Sequence, residues 1–125
     1  MKNKLLFFAG LFGSLGVIFG AFGAHALKAI LTEQALANWQ TAVQYQFIHS
    51  LALLFLSAQP ETKQIRMASW FFVFGILLFS GSLYLLSLRD ILALPLSFLG
   101  PITPIGGLFF TAGWLILFFS GLKKS

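Results

Sequence analysis

The chain has 125 residues, of which 58% are hydrophobic and only 9% are charged, too few charges to cover the surface of a water-soluble domain. It contains no cysteine, which excludes disulfides, thiolate metal sites and thiol nucleophiles. Its net charge of +5 does not indicate nucleic-acid binding, because the basic residues lie at the chain ends and between apolar runs rather than along one face.

Four apolar stretches predict four membrane-spanning helices, at about residues 5–27, 38–58, 67–88 and 104–122. A helix needs about 20 such residues to cross the hydrocarbon core of a bilayer. Helix is the expected conformation, since backbone amides in lipid must find their partners within the same segment. We therefore predict an all-α fold, an integral membrane four-helix bundle that forms a single domain over residues 1–125.

The first stretch also resembles a signal peptide, because Lys2 and Lys4 precede it and the sequence Ala24-His25-Ala26 resembles a cleavage site. Its apolar run is longer than the roughly 7–15 residues of a cleaved signal. We therefore expect the first helix to be retained as a membrane span.

A stripe of small residues follows one side of this first helix and predicts close packing. Four glycines recur at steps of three, four and three residues: Gly13, Gly16, Gly20 and Gly23. Helix association in lipid depends on close packing, and GxxxG pairs such as Gly16 and Gly20 allow two backbones to approach each other. We interpret the stripe as a packing seam inside the bundle, and the alternative is a dimerisation face.

Polar residues enter the membrane along the second helix, for which Thr32 is a good N-cap. Five of them recur at helical spacing within an arc of roughly 80°, and they are Gln34, Asn38, Thr41, Tyr45 and His49. Trp39 lies within this length, and Gln44 and Gln46 flank the stripe. Such a stripe must face protein or water rather than lipid. It indicates either interhelical hydrogen bonds or a ligand-binding groove that opens outward.

The two histidines are candidate functional residues. His49 lies well inside an apolar run, where an ionisable group is costly and by default suggests function. The alternative is a neutral imidazole bonded to a serine or a backbone carbonyl. His25 ends the first span and is expected at the outer interface, about 15 Å from the depth of His49. Since two histidines alone make a poor metal site, we expect no haem, metal or other cofactor.

Three aromatic residues with a polar edge distinguish the third and fourth spans. Trp70 and Tyr84 lie near opposite ends of the third span, as anchors at the two membrane interfaces would. Trp114 lies in the middle of the fourth span, where interfacial anchoring does not explain it.

The start of the fourth helix has a recognisable motif, Thr103-Pro104-Ile105-Gly106-Gly107. Thr103 is expected to be the N-cap, with Pro104 at the first helical position, where its missing N–H costs nothing. The two glycines would then let another backbone approach the first turn. The alternative is that this helix N-terminus faces an anion or a substrate carbonyl.

The distribution of basic residues predicts the orientation. Six lie at the N-terminus, in the second connection and in the C-terminal tail: Lys2, Lys4, Lys63, Arg66, Lys123 and Lys124. The first and third connections contribute only Lys28 and Arg89. Under the positive-inside rule this bias places both termini in the cytoplasm.

Four motifs, in matching order, resemble a known family. They are residues 20–27 (GAFGAHAL), residues 39–49, residues 79–84 (FSGSLY), and residues 103–107 (TPIGG) with Gly113-Trp114. On these motifs the sequence resembles the YgdD/YwdK family (domain of unknown function 423), and the resemblance covers nearly the whole chain. These are small bacterial inner-membrane proteins without an established activity, with relatives in animals. The resemblance implies a four-helix protein of the bacterial cytoplasmic (inner) membrane, and its motifs include His25, Trp39, Tyr45 and His49.

Several functions remain open, but the sequence has no nucleophile elbow, paired carboxylate or phosphate loop, so we expect no enzyme. The favoured hypothesis is a membrane protein that acts through helix packing and assembly with membrane lipids, a second copy or another membrane protein. The alternative is a small transporter or channel for a neutral or anionic solute or for protons, along the polar stripe of the second helix. A third hypothesis is a bundle that binds a lipid or quinone beside Tyr45 and His49.

Overall fold

The structure, a computed structural model, describes residues 1–122, and over these residues its regular secondary structure is all helical, joined by turns and short irregular segments. Its α-helices are α1 (Lys2–Ala24), α2 (Glu33–Ser57), α3 (Lys63–Gly75), α4 (Gly81–Leu92) and α5 (Ile102–Gly121). A π turn (Ile76–Ser80) joins α3 to α4 without a break, and short 3₁₀ turns (Leu27–Ala29 and Ser97–Leu99) precede α2 and α5. Lys123 and Lys124, two of the basic residues used to predict orientation, lie outside the described residues.

Helix boundaries follow from local capping chemistry. The hydroxyl of Thr32 accepts a hydrogen bond from the backbone N–H of Ala35 at 3.1 Å, which confirms Thr32 as the N-cap of α2. Thr62 caps α3 in the same way, through the N–H of Ile65. At the C-terminus of α4, Ala93 adopts the left-handed conformation (φ 54°) that ends the helix. It lies two residues before a proline, which cannot continue a helix.

Within residues 1–122, three helical stretches are long and apolar enough to cross a membrane: Lys2–Ala29, Lys63–Leu92 and Ser97–Gly121. They correspond to the first, third and fourth predicted spans. Helix α2, the second predicted span, has 25 residues but is not among them, because polar side chains such as Gln40 and Gln44 fill its first half. A fourth crossing by α2 therefore requires that these polar groups find partners other than lipid.

Helices α1 and α2 pack side by side in opposite directions, and the α1 glycines receive side chains of α2. A Cβ added at Gly16 would lie 3.0 Å from the ring of Phe47, and one added at Gly23 would lie 2.7 Å from the ring of Trp39. Around Gly20 the nearest atom belongs to the Val43 side chain at 3.5 Å, and Gly13 has no neighbour within 4 Å. The GxxxG pair thus leaves room for side chains, and the expected close approach of two backbones is not found at this interface.

A true backbone approach occurs between α5 and the π turn. A Cβ at Gly106 would overlap the backbone nitrogen of Phe79, so only glycine fits there. Aromatic rings fill two further glycine recesses between α3 and α5, with Phe110 against Gly75 and Phe72 against Gly113. The prediction that Gly106 lets another backbone reach the first turns of this helix is confirmed, whereas Gly107 keeps its nearest neighbour, the Phe79 ring, at 3.9 Å.

Helix α5 begins earlier than predicted. Its N-cap is Pro101, which makes no side-chain cap hydrogen bond, so Thr103 and Pro104 are the second and third helical residues. The prediction of Thr103 as N-cap is wrong because Gly100 and Pro101 already have helical dihedrals. The Thr103 hydroxyl instead contacts the Ser82 hydroxyl of α4 at 2.5 Å. Pro104 remains within the first turn, where a missing N–H is tolerated.

Candidate functional site

A groove between α2 and α5 brings together two of the features that the sequence analysis selected separately. We call it the α2–α5 groove; its volume is about 380 Å³, and it is lined by Tyr45, His49, Phe79, Pro104, Gly107, Leu108, Phe110, Thr111 and Trp114. Tyr45 and His49 come from the deeper end of the polar stripe, and Pro104 and Gly107 come from the motif at the start of α5. Trp114, which had no explanation as an interfacial anchor, closes one end.

The hydrogen bonds of His49 define its chemical form. Its Nδ1 lies 2.8 Å from the backbone carbonyl of Tyr45, and its Nε2 lies 2.9 Å from the indole Nε1 of Trp114. A carbonyl can only accept and an indole N–H can only donate. The imidazole must therefore carry its proton on Nδ1 and accept at Nε2, which is the neutral tautomer. Of the two readings of His49, this geometry matches the neutral imidazole bonded to a backbone carbonyl.

Aromatic packing also holds His49 in place. Its ring stacks on Phe110, with 3.6 Å between ring centroids and 8° between planes, and it meets Phe72 edge-on at 5.1 Å. Only 3% of the residue is exposed. With both ring nitrogens bonded and the ring packed between Phe110 and Phe72, His49 forms a rigid floor of the groove rather than a mobile group.

Tyr45 offers the groove its available polar atom. The residue is 38% exposed, its ring lies on Phe79 at 4.7 Å, and within residues 1–122 its hydroxyl makes no hydrogen bond. By contrast the Thr111 hydroxyl is already bonded to the carbonyl of Gly107 at 2.9 Å. The groove therefore presents aromatic and aliphatic walls with one hydroxyl that can recognise a polar atom of a ligand.

The rest of the predicted polar stripe lies away from the groove. Gln34 is exposed and donates to Asn38 one turn later on the same helix, and Thr41 is half-buried. His25 is exposed at the end of α1, as predicted. Trp39 is buried against α1, where its indole donates to the Phe19 carbonyl at 2.7 Å. These residues are not among those that line the α2–α5 groove, so this groove covers only the deeper end of the stripe.

Among the described residues, Gln46 is the interior residue whose side chain makes the most hydrogen bonds to other helices, and its spacing in the sequence did not predict this role. Its amide nitrogen donates to the Phe12 carbonyl of α1 at 2.7 Å, and its amide oxygen accepts from the Tyr84 hydroxyl of α4 at 2.6 Å. We call these three groups the Gln46 cluster. Because Tyr84 is buried in it, the expectation that Tyr84 anchors the chain at a membrane interface is wrong. Together the bonds tie α1, α2 and α4.

A sequence signal for Gln46 exists, but it is not the spacing of polar residues. Six of the eight buried residues of α2 follow a regular alternation of three and four: Trp39, Ala42, Gln46, His49, Leu53 and Leu56. This is the spacing of a helix seam that faces its neighbours. The stripe of polar residues runs beside this seam and coincides with it only at His49.

Comparison with known proteins matches the sequence to a family. Residues 19–107 match the family DUF423, described as a protein of unknown function. The chain belongs to this family. The match extends from the α1 carbonyl that Trp39 contacts to Gly107 of the groove, and the resemblance deduced from the sequence motifs is thereby confirmed.

Relatives of this DUF423 member are similar over most of their length and carry names that refer to membranes. The UPF0382 membrane protein of Haemophilus influenzae is 41% identical over 99% of this chain and 98% of its own. The UPF0382 inner membrane protein YgdD of Escherichia coli is 35% identical over 95% and 89%. The membrane protein YwdK of Bacillus subtilis is 38% identical over 87% and 88%. No solved structure matches the chain.

Proposed function

We propose that this membrane protein is a non-enzymatic, four-span bundle of the bacterial cytoplasmic (inner) membrane that binds membrane-embedded molecules in the α2–α5 groove. The ligand class is an apolar molecule dissolved in the bilayer that carries a hydrogen-bond acceptor, such as the ester of a lipid or the carbonyl of a quinone. The name of the Escherichia coli relative, an inner membrane protein, supports the location. The basic residues at one end support cytoplasmic termini.

The observation that carries the proposal is the lining of the α2–α5 groove. Its volume of about 380 Å³ falls in the range of small-molecule sites, which bury an apolar ligand and orient it with few polar groups. Its large side chains are mostly apolar, and Leu108 is 68% exposed on its rim. The unbonded Tyr45 hydroxyl supplies the orienting group. A rim of this kind, exposed at mid-helix, opens toward lipid rather than water.

The hydrogen bonding of the interior polar groups distinguishes the proposed binding role from the transporter hypothesis. His49 is bonded at both nitrogens, Gln46 is bonded at both ends of its amide, and the Ser80 hydroxyl donates to the Ala42 carbonyl. The described buried side-chain nitrogens and oxygens all have partners. A solute or proton path needs polar groups that exchange partners, and fully paired groups rigidify a core instead. These contacts favour binding over transport.

A pair of tryptophan substitutions on α5 tests the proposed site. Leu108→Trp adds bulk on the groove rim, while Leu115→Trp adds the same bulk at an exposed position that does not line the groove. Native mass spectrometry of protein purified in mild detergent should show a co-purified lipid or quinone on the wild type and on Leu115→Trp, and its loss from Leu108→Trp. Equal ligand occupancy in the two variants would contradict the proposal.

Tyr45→Phe tests the orienting hydroxyl. One lost hydrogen bond of about 0.5–1.5 kcal/mol corresponds to roughly 2–12-fold weaker binding, measured as retained ligand during detergent exchange.

The transport alternative is tested in liposomes with His49→Ala. A flux of solute or protons that the wild type supports and this folded variant lacks would favour transport over the proposed binding role.

A second candidate role, self-assembly through α1, is favoured by one observation. Gly10 and Gly13 have nothing within 4 Å of an added Cβ, so this part of the predicted seam is open to a second helix. Close helix packing in lipid uses such small residues. Crosslinking in membranes should then yield a dimer that Gly10→Leu abolishes and that Ala21→Leu, an exposed control on the same helix, leaves intact. A monomer in the wild type would refute this role.

A further inference from the structure

A second groove lies between α1 and α3, on a part of the molecule that the proposed function does not use. We call it the α1–α3 groove; its volume is about 410 Å³, and Asn3, Lys4, Phe7, Phe8 and Trp70 line it. Phe8 meets Trp70 edge-on at 5.7 Å, and Trp70 continues to Phe74 at 6.1 Å. The polar residues are at the top of the groove and the aromatic residues lie below.

Positive charge is concentrated at the top of this groove. The starts of α1 and α3 lie at the same end of the bundle, because the Met1 ammonium is 3.4 Å from Glu61, just before α3. Lys2, Lys4, Lys63 and Arg66 belong to these two helix starts. Arg66 is paired with Glu61 at 2.7 Å, whereas over residues 1–122 Lys4 and Lys63 form no ion pair.

The two helices that form the groove repeat one order along their length, with a basic residue first and aromatic residues below it, and Lys4 is the basic residue that lines the groove itself. On α1, Lys4 precedes Phe7 and Phe8 by three and four residues, which places them on neighbouring positions of one face. On α3, Lys63 precedes Trp70 by seven residues, which is two turns or about 10 Å along the same face. The Trp70 indole N–H makes no hydrogen bond to the part of the chain that the structure describes. A donor thus remains available between the ammonium groups and the aromatic floor.

We propose that the α1–α3 groove binds an anionic phospholipid of the leaflet that faces the basic end. The phosphate of the headgroup lies against Lys4, the Trp70 N–H donates to a glycerol ester or phosphate oxygen, and an acyl chain follows Phe7, Phe8 and Phe74. Lysine clusters next to membrane spans attract anionic lipids, with about 1 kcal/mol for each basic residue near the surface. Charge at one end and apolar surface below match a phospholipid better than an apolar helix.

Brominated lipids test the proposal in reconstituted vesicles. Trp70 emission, taken as the difference between wild type and Trp70→Phe, should be quenched more strongly by brominated phosphatidylglycerol than by brominated phosphatidylcholine at equal mole fraction. Lys4→Gln should weaken the preference for the anionic lipid about fivefold, the equivalent of one lysine contact. Lys28→Gln, which removes an exposed lysine at the opposite end, should leave the preference unchanged.

Three outcomes would overturn the proposal: equal quenching by both lipids, equal effects of Lys4→Gln and Lys28→Gln, or occupation of the groove by a second copy. The last is read from Phe7→Cys, which introduces a single thiol into a chain without cysteine. A disulfide-linked dimer formed efficiently through this position in membranes would identify the occupant as protein. Circular dichroism of each variant separates a loss of binding from a loss of folding. The exposure of Lys4 makes Lys4→Gln compatible with the fold.

Discussion

The α1–α2 and α3–α5 helix pairs are held together by different kinds of contact. Between α1 and α2, side chains cross the interface and bond to backbone carbonyls, as Trp39 does to Phe19 and Gln46 to Phe12. Between α3 and α5, the contacts are glycine recesses filled by aromatic rings, next to the backbone approach at Gly106. Aromatic rings also occupy glycine recesses between α1 and α2, at Gly16 and Gly23, so the first interface combines shape with polar pairing, whereas the second depends on shape.

This difference follows from which helices carry polar side chains. Helix α2 must bring polar groups into an apolar environment, where an unpaired group is costly. Its partner α1 supplies backbone carbonyls as acceptors. Helices α3 and α5 are more uniformly apolar, so their association relies on van der Waals contact, which is sensitive to small changes in shape. The two interfaces should therefore fail under different substitutions.

The largest expected effect is at the shape-dependent interface. Gly106→Ala places a methyl group against the Phe79 backbone nitrogen, and a backbone cannot rotate away as a side chain can. We expect a loss of about 3 kcal/mol in unfolding free energy, at the upper end for overpacking. Unfolding by SDS in mixed micelles, followed by circular dichroism, measures it. Gly107→Ala is the matched control, since its nearest neighbour is 3.9 Å away; an equal loss in both variants would show that overlap with the Phe79 backbone is not the cause.

The next effect is expected at the polar interface. Gln46→Leu keeps a similar volume but leaves the Phe12 carbonyl and the Tyr84 hydroxyl without their partner. Membrane-buried hydrogen bonds contribute about 0.6 kcal/mol on average and up to about 1.7, so two lost bonds should cost about 1–3 kcal/mol in the same assay. Gln44→Leu, an exposed neighbour, should cost less than half as much. A Gln46→Leu variant as stable as the wild type would show that the cluster contributes nothing.

A smaller effect is expected for a single bond of the same interface. Trp39→Phe removes the indole donor of the Phe19 carbonyl while keeping an aromatic ring beside Gly23. We expect a loss of about 1 kcal/mol. Combining it with Gln46→Leu in a double-mutant cycle measures whether the two bonds act independently along α1. Additive losses would mean that each bond is local, and a coupling energy above about 0.5 kcal/mol would mean that α1 is held as one unit.

The smallest effect should occur where a polar contact lies in water. The pKa of the exposed Glu61 carboxyl is lowered by its hydrogen bond to the amino terminus and by Arg66. Its contribution is therefore present above the ordinary carboxyl pKa and is lost as the pH falls through the lowered value. Glu61→Gln should lower the melting temperature slightly at pH 7 and not at all at strongly acidic pH. A large effect at pH 7 would contradict the weakness expected of exposed ion pairs.

The sequence predicted the helices well and the contacts between them unevenly. Apolar length identifies the helical stretches, because that signal belongs to one segment at a time. The N-cap at Thr32 was predicted correctly because capping is local, whereas the predicted N-cap at Thr103 was wrong, because Gly100 and Pro101 extend the helix backwards. Helix α2 is not identified by apolar length alone, since its polar residues can be accommodated only by neighbours that the sequence does not identify.

In the candidate site, too, the sequence predicted what depends on a single helix but not the contacts between helices. His49 and Tyr45 were found from their spacing, and His49 was left with two readings because its partner is 65 residues away on another helix. Gln46 was treated as a flanking residue, since its role depends on Tyr84 and on a carbonyl of α1. A periodic pattern identifies a helix face, but hydrogen-bond partners across helices depend on rotation and depth. Those two quantities are set by packing and are not encoded in any single segment.

The π turn lets the continuous helix formed by α3 and α4 pack against two different neighbours, α5 and α2. Before it, Phe72 faces α5, and after it, Tyr84 faces Gln46 of α2. Because each residue of an α-helix advances the azimuth by about 100°, shortening the turn by one residue would swing Tyr84 away from Gln46 while leaving Phe72 in place. The π turn thus sets the rotation of α4 relative to α3. The length of this segment, more than its composition, determines whether α3 and α4 both contact their partner helices.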